Sequence, residues 1–571
     1  MGERACYRIA AYPGANTTAG LIRGMMPSNS SEMPDAKAEM TVALAVVAAA
    51  ALVLFFTSAL DGDFWWSDAP RHALNGIFLK DVIVRHPFAD PKQFAMNWYV
   101  QYPALTILFY PPLLYILSAP AFLLFGESHA VAQAMVALHL VVLGLGMVAL
   151  ARFWLDRWAA LAAGVILMTL PEIALWGRQV MLEIPALAWL VWSAVFCVRH
   201  ARRGDTLSLL LAALFMLAAL YTKISMGFVA PVLAVFLLQA RGFSFLAERR
   251  VWVVLVLTVI GLLPLVAMTL LFGQANVQSV VAIADTPASR NTLAGWVWYA
   301  RQLPGMVGWI PLALALSGFR ESLADRTGRF RPGERMLFVL WVVVCYLALS
   351  FIELKEARHA TILLVPVALW AAMGLAWFAQ LIPAARAVLP VAAALGLAAF
   401  SLLAQPVPRE EGYREAVERA VAAAPKDSVV LFSGKRDGSF VFNMRTVSGR
   451  PDLYTVRADK LLLTIAVRRE LGVGERGLAE ADIVERIRAL GVSVVVAERD
   501  FWLDIPQMAR FQAALDGPDF QEIGRVGIGT DGGAGRGELR LYRVAGDLRP
   551  RPRDLSIDLP IIGRSIEGEV R

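Results

Sequence analysis

Long apolar runs recur along most of this chain, and they constrain its fold more than any other feature. The first run covers residues 38–60, and ten more follow before residue 405. They lie near 129–151, 158–171, 183–199, 206–222, 225–240, 251–272, 306–319, 335–352, 359–380 and 386–404. An α-helix needs about 20 mostly apolar residues to cross a membrane. The pattern therefore predicts a polytopic α-helical membrane protein with about 11 transmembrane helices.

The composition excludes several other classes of protein. Of the 571 residues, 58% are hydrophobic and 18% are charged, which is too apolar for a soluble protein surface. The net charge of +7 would suit nucleic-acid binding in a soluble domain. In a membrane protein it indicates basic cytoplasmic loops, so we expect no nucleic-acid partner. Cys6, Cys197 and Cys345 are far apart and predict neither a disulfide framework nor a zinc site.

The charges between the apolar runs indicate how the chain is oriented. Arginines gather in every second loop, at 152–157, 199–203, 241–250 and 320–335. Basic loops stay in the cytoplasm, so the alternate loops are expected outside. The sequence thus predicts a multi-pass protein of the inner (plasma) membrane. Its predicted parts are a disordered cytoplasmic tail at 1–37, a transmembrane domain at 38–404, an external (periplasmic) α/β domain at 405–548 and a tail at 549–571.

One apolar segment, 110–125, is not assigned as a membrane span. It is short and contains Pro111-Pro112 near its start, and counting it as a span would place the arginine-rich loops outside. We therefore predict one long external loop at 61–126. It should carry two interfacial helices at about 71–85 and 112–125.

The character of the chain changes after residue 404. Short β-branched runs at Val429–Phe432, Val492–Ala497 and Leu539–Val544 predict strands. Helical patterns occur near 413–424, 480–490 and 506–516. The segment 434–438 contains Gly-Lys but lacks the spacing of a phosphate-binding loop, so it predicts a turn.

Charged residues on the predicted external side form the candidate site. Charge at membrane level is costly and is usually functional. Carboxylates beside cations would suit transfer of a sugar from a polyprenyl phosphate, which needs a base for the acceptor and cations for the departing phosphate. The residues concerned are Asp68, Arg71, His72, Arg178, Glu183, Lys223, Lys355, Arg358 and His359.

The order of these residues resembles the type-C glycosyltransferase superfamily, which includes the protein O-mannosyltransferases and the lipid A aminoarabinose transferase. In that superfamily the first external loop has an Asp followed by Arg-Tyr-Ala, similar to Asp68 and Arg71-His72-Ala73 here. A Lys-Pro-Pro-Leu or His-Pro-Pro-Leu segment then enters an interfacial helix that ends in Leu-Phe-Gly. The corresponding segments here are 110–113, which reads Tyr-Pro-Pro-Leu, and 124–126, which reads Leu-Phe-Gly.

Three further motifs extend the resemblance over residues 38–404. A Gly-Arg and a carboxylate in the next external loop resemble 177–178 and Glu183. A Lys-Gly between spans and a Lys-x-x-Arg-Tyr before a late span resemble 223–224 and 355–359. The C-terminal domain is similar only in placement and class.

The resemblance implies a role for each candidate residue. Asp68 and Glu183 are the expected catalytic carboxylates, with Asp68 as general base of an inverting transfer. The expected donor phosphate-binding residues are Arg71, His72, Arg178, Lys223, Lys355, Arg358 and His359. The implied partners are a polyprenyl-phosphate-linked sugar, a lipid, glycan or protein acceptor, and membrane lipids. No cofactor is certain, although Asp68 and Glu183 could share a divalent metal.

The sequence departs from the family pattern at several positions. Ala69 replaces a second acidic residue, so a second carboxylate must come from Glu183, Asp61 or Asp63. Tyr110 replaces the basic residue before Pro-Pro. A tyrosine donates one hydrogen bond but brings no charge. His72 and His359 replace family tyrosines, and each could keep a hydrogen bond while adding charge at lower pH.

Other interpretations remain open at this level. Asp68 could serve only as the N-cap of a helix that starts at Ala69-Pro70. Arg178 and Glu183 could form a surface pair, and Lys223 could extend from its helix to the interface. A transporter or flippase, or an assembly protein anchored in the membrane, are the alternative functions. A transporter should carry charges near the middle of its spans, whereas these charges lie near the span ends.

Overall fold

The computed structural model describes residues 33–273, 288–325, 328–382, 388–404, 407–465, 469, 472–530, 536–547, 549–552, 554–559 and 564–569. Most of the predicted N-terminal tail lies outside these ranges. The first helix begins at Met33, five residues before the predicted boundary at residue 38, so it includes the end of the predicted tail.

The described residues up to Ala404 are mostly helical. The helices are α1 (Met33–Phe56), α2 (Ala69–Arg85), α3 (Pro91–Gln101), α4 (Leu113–Phe125), α5 (His129–Ala151), α6 (Arg157–Thr169), α7 (Pro171–Gly177), α8 (Glu183–Arg203), α9 (Thr206–Leu220), α10 (Ala230–Arg241), α11 (Arg249–Phe272), α12 (Leu293–Val307), α13 (Trp309–Ala324), α14 (Glu334–Phe351), α15 (Leu364–Ala379) and α16 (Leu389–Ala404). Short 3-10 helices at Ile224–Val229 and Ala357–Leu363 directly precede α10 and α15.

Several of these helices are long and apolar enough to span a membrane. Within the described ranges, seven meet that test, or up to nine if each of two bent helix pairs is one span. Shorter apolar helices include α9 and the stretch Leu389–Leu403. The multi-pass helical fold is confirmed, and the count of about 11 spans stays a prediction.

Each of the two bent pairs was predicted only in part, as the runs at 158–171 and 306–319. α6 and α7 meet at 64° just before Pro171, whose missing N–H cannot continue a helical ladder. α12 and α13 meet at 111° around Gly308, which has a positive φ of 83°. The predicted run at 306–319 is mainly the second arm of this pair, and its first arm, α12, was not predicted.

The segment predicted as an external loop, 61–126, contains both predicted helices. α2 and α4 match the predicted boundaries within two residues. The structure adds α3, whose polar sequence gave no strong periodic signal. Asp90 caps α3 by accepting a hydrogen bond from Gln93 N at 2.9 Å, and Pro91 occupies its first turn.

A mixed sheet forms the centre of the C-terminal domain. Its strands are β1 (Glu410–Glu411), β2 (Val429–Ser433), β3 (Tyr454–Arg457), β6 (Val492–Glu498), β7 (Phe520–Thr530) and β8 (Arg536–Val544), and their order is β1-β7-β8-β6-β2-β3. β2 pairs in parallel with both β3 and β6, while β8 runs antiparallel to β6 and β7. The remaining short strands are β4 (Leu463–Ile465), β5 (Val473–Glu475), β9 (Asp554–Leu559) and β10 (Arg564–Glu569).

Helices cover the sheet on both faces. They are α17 (Tyr413–Ala423), α18 (Asp437–Thr446), α19 (Ala458–Leu462), α20 (Glu480–Ala489) and α21 (Pro506–Ala514). All three predicted strands and all three predicted helical patterns are present, so the α/β class is confirmed. The predicted turn at 434–438 is shorter than expected, because α18 begins at Asp437. The region predicted as a tail contains the antiparallel hairpin of β9 and β10.

Candidate active site

The candidate site is built from residues at helix ends and breaks. Asp68 immediately precedes α2, and Glu183 is the first residue of α8. Lys223 lies between α9 and the 3-10 helix that precedes α10. Arg358 lies in the 3-10 helix that precedes α15. These helix ends and breaks lie close together, so four residues from distant parts of the sequence meet.

The Arg358 guanidinium is at the centre of the site. Its Nη1 lies 3.4 Å from Asp68 Oδ2 and 3.7 Å from Glu183 Oε1. Its Nε donates to Glu356 Oε2, so three carboxylates surround one cation. Charge-assisted hydrogen bonds of this kind are among the strongest in proteins.

Two tryptophans hold the same guanidinium on its other sides. Its central carbon lies 5.0 Å from the ring centroid of Trp66 and 5.8 Å from that of Trp176. A cation within about 6 Å of an aromatic face is attracted to it. Trp176 is itself fixed, since its Nε1 donates to Glu172 Oε1 at 2.6 Å. Arg358 is therefore held in a defined position.

Glu183 is fully enclosed, with 1% of its side chain exposed. Its Oε1 accepts a hydrogen bond from Lys223 Nζ at 2.7 Å. Its Oε2 is buried and has no hydrogen-bond partner among the described residues. Burial lowers the pKa of Lys223, and the attraction of Glu183 opposes this effect only in part. An unsatisfied buried carboxylate oxygen is costly, so this atom marks a place where a ligand could donate a hydrogen bond.

Asp68 occupies the N-cap position of α2, but its side chain makes no capping hydrogen bond. Its backbone carbonyl accepts from His72 N at 3.0 Å, while its carboxylate contacts Arg358. An aspartate that served only as a cap would accept hydrogen bonds from the first turn of its helix. The side chain of Asp68 therefore belongs to the charged cluster.

His72 borders the cluster and is buried. Its Nδ1 is 2.8 Å from the Tyr115 hydroxyl, and its ring meets the Tyr110 ring edge-on at 4.9 Å. Burial lowers the pKa of His72 to about 4, although Asp68 and Glu183 act in the opposite direction. The imidazole is thus neutral near pH 7 and offers a hydrogen bond rather than a charge.

The other predicted phosphate-binding residues have different neighbours. Arg71 donates to Asp437 in the C-terminal domain, and Arg178 Nε donates to Ala174 O at 2.9 Å. Lys355 Nζ donates to the carbonyl oxygens of Leu349, Ser350 and Ile352, at and just beyond the end of α14. His359 Nε2 lies 3.8 Å from Glu356 Oε2, at the edge of the cluster. The structure thus brings together Asp68, Glu183, Lys223 and Arg358.

The sequence analysis missed three residues of this site. Glu356 lies inside the 355–359 motif, two residues before Arg358, but was given no role. Trp66 and Trp176 were given no role in the site either. Only their shared contact with Arg358 identifies them, and a sequence does not show that contact.

The site does not fit a divalent metal shared by Asp68 and Glu183. Arg358 Nη1 already contacts both carboxylates, in the position that such a cation would take. In the part of the chain that the structure describes, no group of three or more His, Cys, Asp or Glu side chains could hold a metal ion. The protein's own cations at this site are Arg358 and Lys223.

The chain is similar to known proteins in part of its sequence and in its fold. Residues 110–268 match the family model of dolichyl-phosphate-mannose-protein mannosyltransferases. The structure is similar to that of ArnT from Cupriavidus metallidurans in the apo state, with a TM-score of 0.58 and 15% identity over 88% of this chain and 98% of that one. No curated protein sequence matches the chain.

Two further solved structures share the fold. ArnT from the same organism bound to undecaprenyl phosphate gives a TM-score of 0.57 and 16% identity, over 89% of this chain and 99% of that one. The apo oligosaccharyltransferase of Archaeoglobus fulgidus gives a TM-score of 0.50 and 14% identity, over 86% of this chain and 74% of that one.

The chain thus has a multi-pass helical membrane fold that is similar to the fold of ArnT. The resemblance seen in the sequence is confirmed by the family model and by the likeness to ArnT.

Proposed function

We propose that this chain is a membrane glycosyltransferase that moves a sugar from a polyprenyl-phosphate donor to an acceptor outside the plasma membrane. The observation that carries the proposal is the placement of Arg358 and Lys223 directly beside the carboxylates of Asp68 and Glu183. A buried and a half-buried cation can hold a lipid phosphate, and a carboxylate next to them can remove a proton from the acceptor.

In this proposal Arg358 and Lys223 bind the donor phosphate. Arg358 donates from Nε to Glu356 and from Nη1 to Asp68, and its guanidinium carries further N–H groups that could bind a phosphate. Lys223 uses one hydrogen bond for Glu183, which leaves protons of its ammonium group for a ligand. His72 and Tyr110 add neutral polar groups beside the same position.

Asp68 acts as the general base. It takes the proton of the acceptor hydroxyl while the acceptor oxygen attacks the anomeric carbon. The bond from that carbon to the phosphate oxygen breaks, and polyprenyl phosphate leaves as an anion held by the two cations. A single displacement inverts the anomeric configuration. No separate acid is needed, because a phosphate is a good leaving group as an anion.

Glu183 has two functions in this proposal. Its Oε1 keeps Lys223 charged and in place. Its buried Oε2 accepts a hydrogen bond from a hydroxyl or amino group of the donor sugar, which satisfies the atom that otherwise lacks a partner. A sugar without that donor group should therefore be a poor substrate.

Mass spectrometry of the cell envelope tests the proposal. Cells with and without this protein would be compared for their glycans and for their pools of polyprenyl-phosphate sugars. Loss of one sugar from a lipid, polysaccharide or protein, together with accumulation of the lipid-linked donor, is the expected result. Unchanged glycans and donor pools would contradict a transferase and would favour the transporter or assembly alternatives.

A further inference from the structure

Helix α18 of the C-terminal domain lies directly on the segment that carries Asp68. Asn443 Nδ2 donates to Gly62 O at 3.1 Å and to Asp63 Oδ1 at 3.2 Å. Ser439 Oγ lies 3.4 Å from both the amide nitrogen and the carbonyl oxygen of Phe64. Just before the helix, Arg436 donates to the Trp65 carbonyl. The backbone of residues 62–65 is therefore bound by the C-terminal domain.

The contact nearest to Asp68 passes through Arg71. Arg71 Nη2 donates to both carboxylate oxygens of Asp437, at 3.0 and 2.8 Å. Its Nη1 donates to the Ser67 carbonyl at 2.7 Å. Asp437 thus holds the guanidinium that fixes the residue immediately before Asp68.

Asp437 is itself held in place as a buried anion. Burial alone would raise the pKa of Asp437, but Arg457 and Arg71 outweigh it and keep the pKa below its ordinary value. Arg457 Nη1 lies 2.7 Å from Asp437 Oδ2 and binds Asp459 as well. Arg457, in the C-terminal domain, therefore holds Asp437 in position for its ion pair with Arg71.

The first turns of α18 and α2 are also in direct contact. A Cβ atom added at Gly438 would lie 2.7 Å from Pro70 Cγ and 2.9 Å from Arg71 Nη1. Such distances are too short for carbon atoms, so only glycine allows this approach. The first turn of α18 fixes the first turn of α2 by contact as well as by charge.

We propose that Asp437 is a positioning residue for the transfer reaction. Acting through Arg71 and the Ser67 carbonyl, it sets the orientation of Asp68, so the C-terminal domain completes the active site. This inference rests on the proposed function, in which Asp68 is the base. A base that is displaced by about 1 Å can lose on the order of 100-fold in rate.

The other end of α18 supplies a matched control. Arg445 donates to Glu127 Oε1 and Oε2 at 2.8 Å and to Asp81 Oδ1 at 3.1 Å, so it also joins the two domains. These residues meet at the end of α18 opposite to Asp437, away from Arg71 and Ser67. If α18 served only to attach the domain, weakening either end should have the same effect.

The test compares Asp437→Asn with Glu127→Gln in the purified full-length protein. Asp437→Asn should lower kcat by about 10- to 100-fold with little change in the donor KM, and Glu127→Gln should change kcat by less than about two-fold. Arg71→Gln should resemble Asp437→Asn, and the double variant should be no worse than either single variant. Equal loss in both helix-end variants, or no loss in Asp437→Asn, would overturn the proposal.

Hydrogen–deuterium exchange supplies a second measurement that needs no substrate. Peptides covering residues 64–72 should exchange faster in Asp437→Asn than in the wild type, and should be unchanged in Glu127→Gln. If the wild type transfers no sugar from any polyprenyl-phosphate donor, the proposed function fails while this result still shows whether Asp437 holds the segment. Unchanged exchange in Asp437→Asn would remove Asp437 from any positioning role.

Discussion

The guanidinium Nη1 of Arg358 lies 3.4 Å from the carboxylate of Asp68, which is 290 residues earlier in the chain. This contact joins the first long loop to the segment before α15. A nearby cation stabilises a carboxylate as the anion and makes it a weaker base. A donor phosphate that competes for Arg358 would weaken this effect, so we expect the donor to bind before Asp68 becomes an effective base.

Replacing Arg358 should impair use of the donor. Arg358→Gln should raise the donor KM by about 10-fold or more, because a charge-assisted hydrogen bond contributes about 1.5–3 kcal/mol. Steady-state kinetics with varied donor and saturating acceptor would measure this. Lys355→Gln is the control: its ammonium group holds carbonyls near the end of α14, so the variant should lose thermal stability and keep the donor KM. Equal KM effects would place Lys355 in the site after all.

The pair of Glu183 and Lys223 should behave as a coupled unit in folding. Lys223→Met leaves a buried carboxylate without its closest cation, which typically costs about 3–5 kcal/mol. The double variant Glu183→Gln with Lys223→Met removes both charges and should be more stable than Lys223→Met alone. Thermal unfolding in detergent would compare them. A double variant that is the least stable of the set would show that the pair is not coupled.

Asp63 should make stability depend on pH. It is buried where it accepts hydrogen bonds from Tyr413 N at 3.1 Å and Arg414 N at 2.9 Å. Burial, and next the charge of Asp61, raise the pKa of Asp63 to about 7. A carboxyl group whose pKa is raised by folding stabilises the protein below its unfolded pKa, near 4, and loses this effect as the pH rises through about 7.

Melting temperatures at pH 5 and pH 8 would test this prediction. The difference between the two should be smaller in Asp63→Asn than in the wild type. Asp61→Asn should keep a pH dependence but move it to lower pH, since one cause of the raised pKa is removed. The same pH dependence in all three proteins would contradict the assignment.

Cysteine labelling would test the predicted orientation. Ser67 and Lys426 are exposed, and both should lie outside the membrane, while exposed Ser244 should lie in the cytoplasm. In a background with Cys6→Ser, cysteines at 67 and 426 should react with a membrane-impermeant thiol reagent in intact cells. A cysteine at 244 should react only after the membrane is opened. Labelling of 244 from outside would reverse the topology.

The sequence predicted most helices and strands that a run of apolar residues marks by itself. The apolar run at 129–151 became α5 with the same boundaries, because length and hydropathy alone define such a helix. The strands at Val429 and Val492 were also visible as buried β-branched runs. α3 and α12 were missed because their sequences are polar or mixed. Such helices depend on capping residues and on packing against neighbouring elements, which the periodicity of apolar residues does not show.

The site was predictable only in part, for a physical reason. Charges near span ends pointed to Asp68, Glu183, Lys223 and Arg358 because unpaired charge is costly at a membrane. The same reasoning included Lys355 and Arg71, whose side chains turn to a helix end and to the C-terminal domain. Which way a side chain turns depends on tertiary contacts.

The central claim is that Asp68 is the base of a sugar transfer from a polyprenyl phosphate. The most direct test measures sugar transfer by purified wild-type and Asp68→Asn protein in liposomes. The donor is the polyprenyl-phosphate sugar that accumulates in cells without this protein. We expect the Asn variant to fold and insert, to bind donor, and to transfer sugar about 10²- to 10⁴-fold more slowly. Its product, and that of the wild type, should have the anomeric configuration opposite to the donor's. Near wild-type transfer by Asp68→Asn would contradict the account.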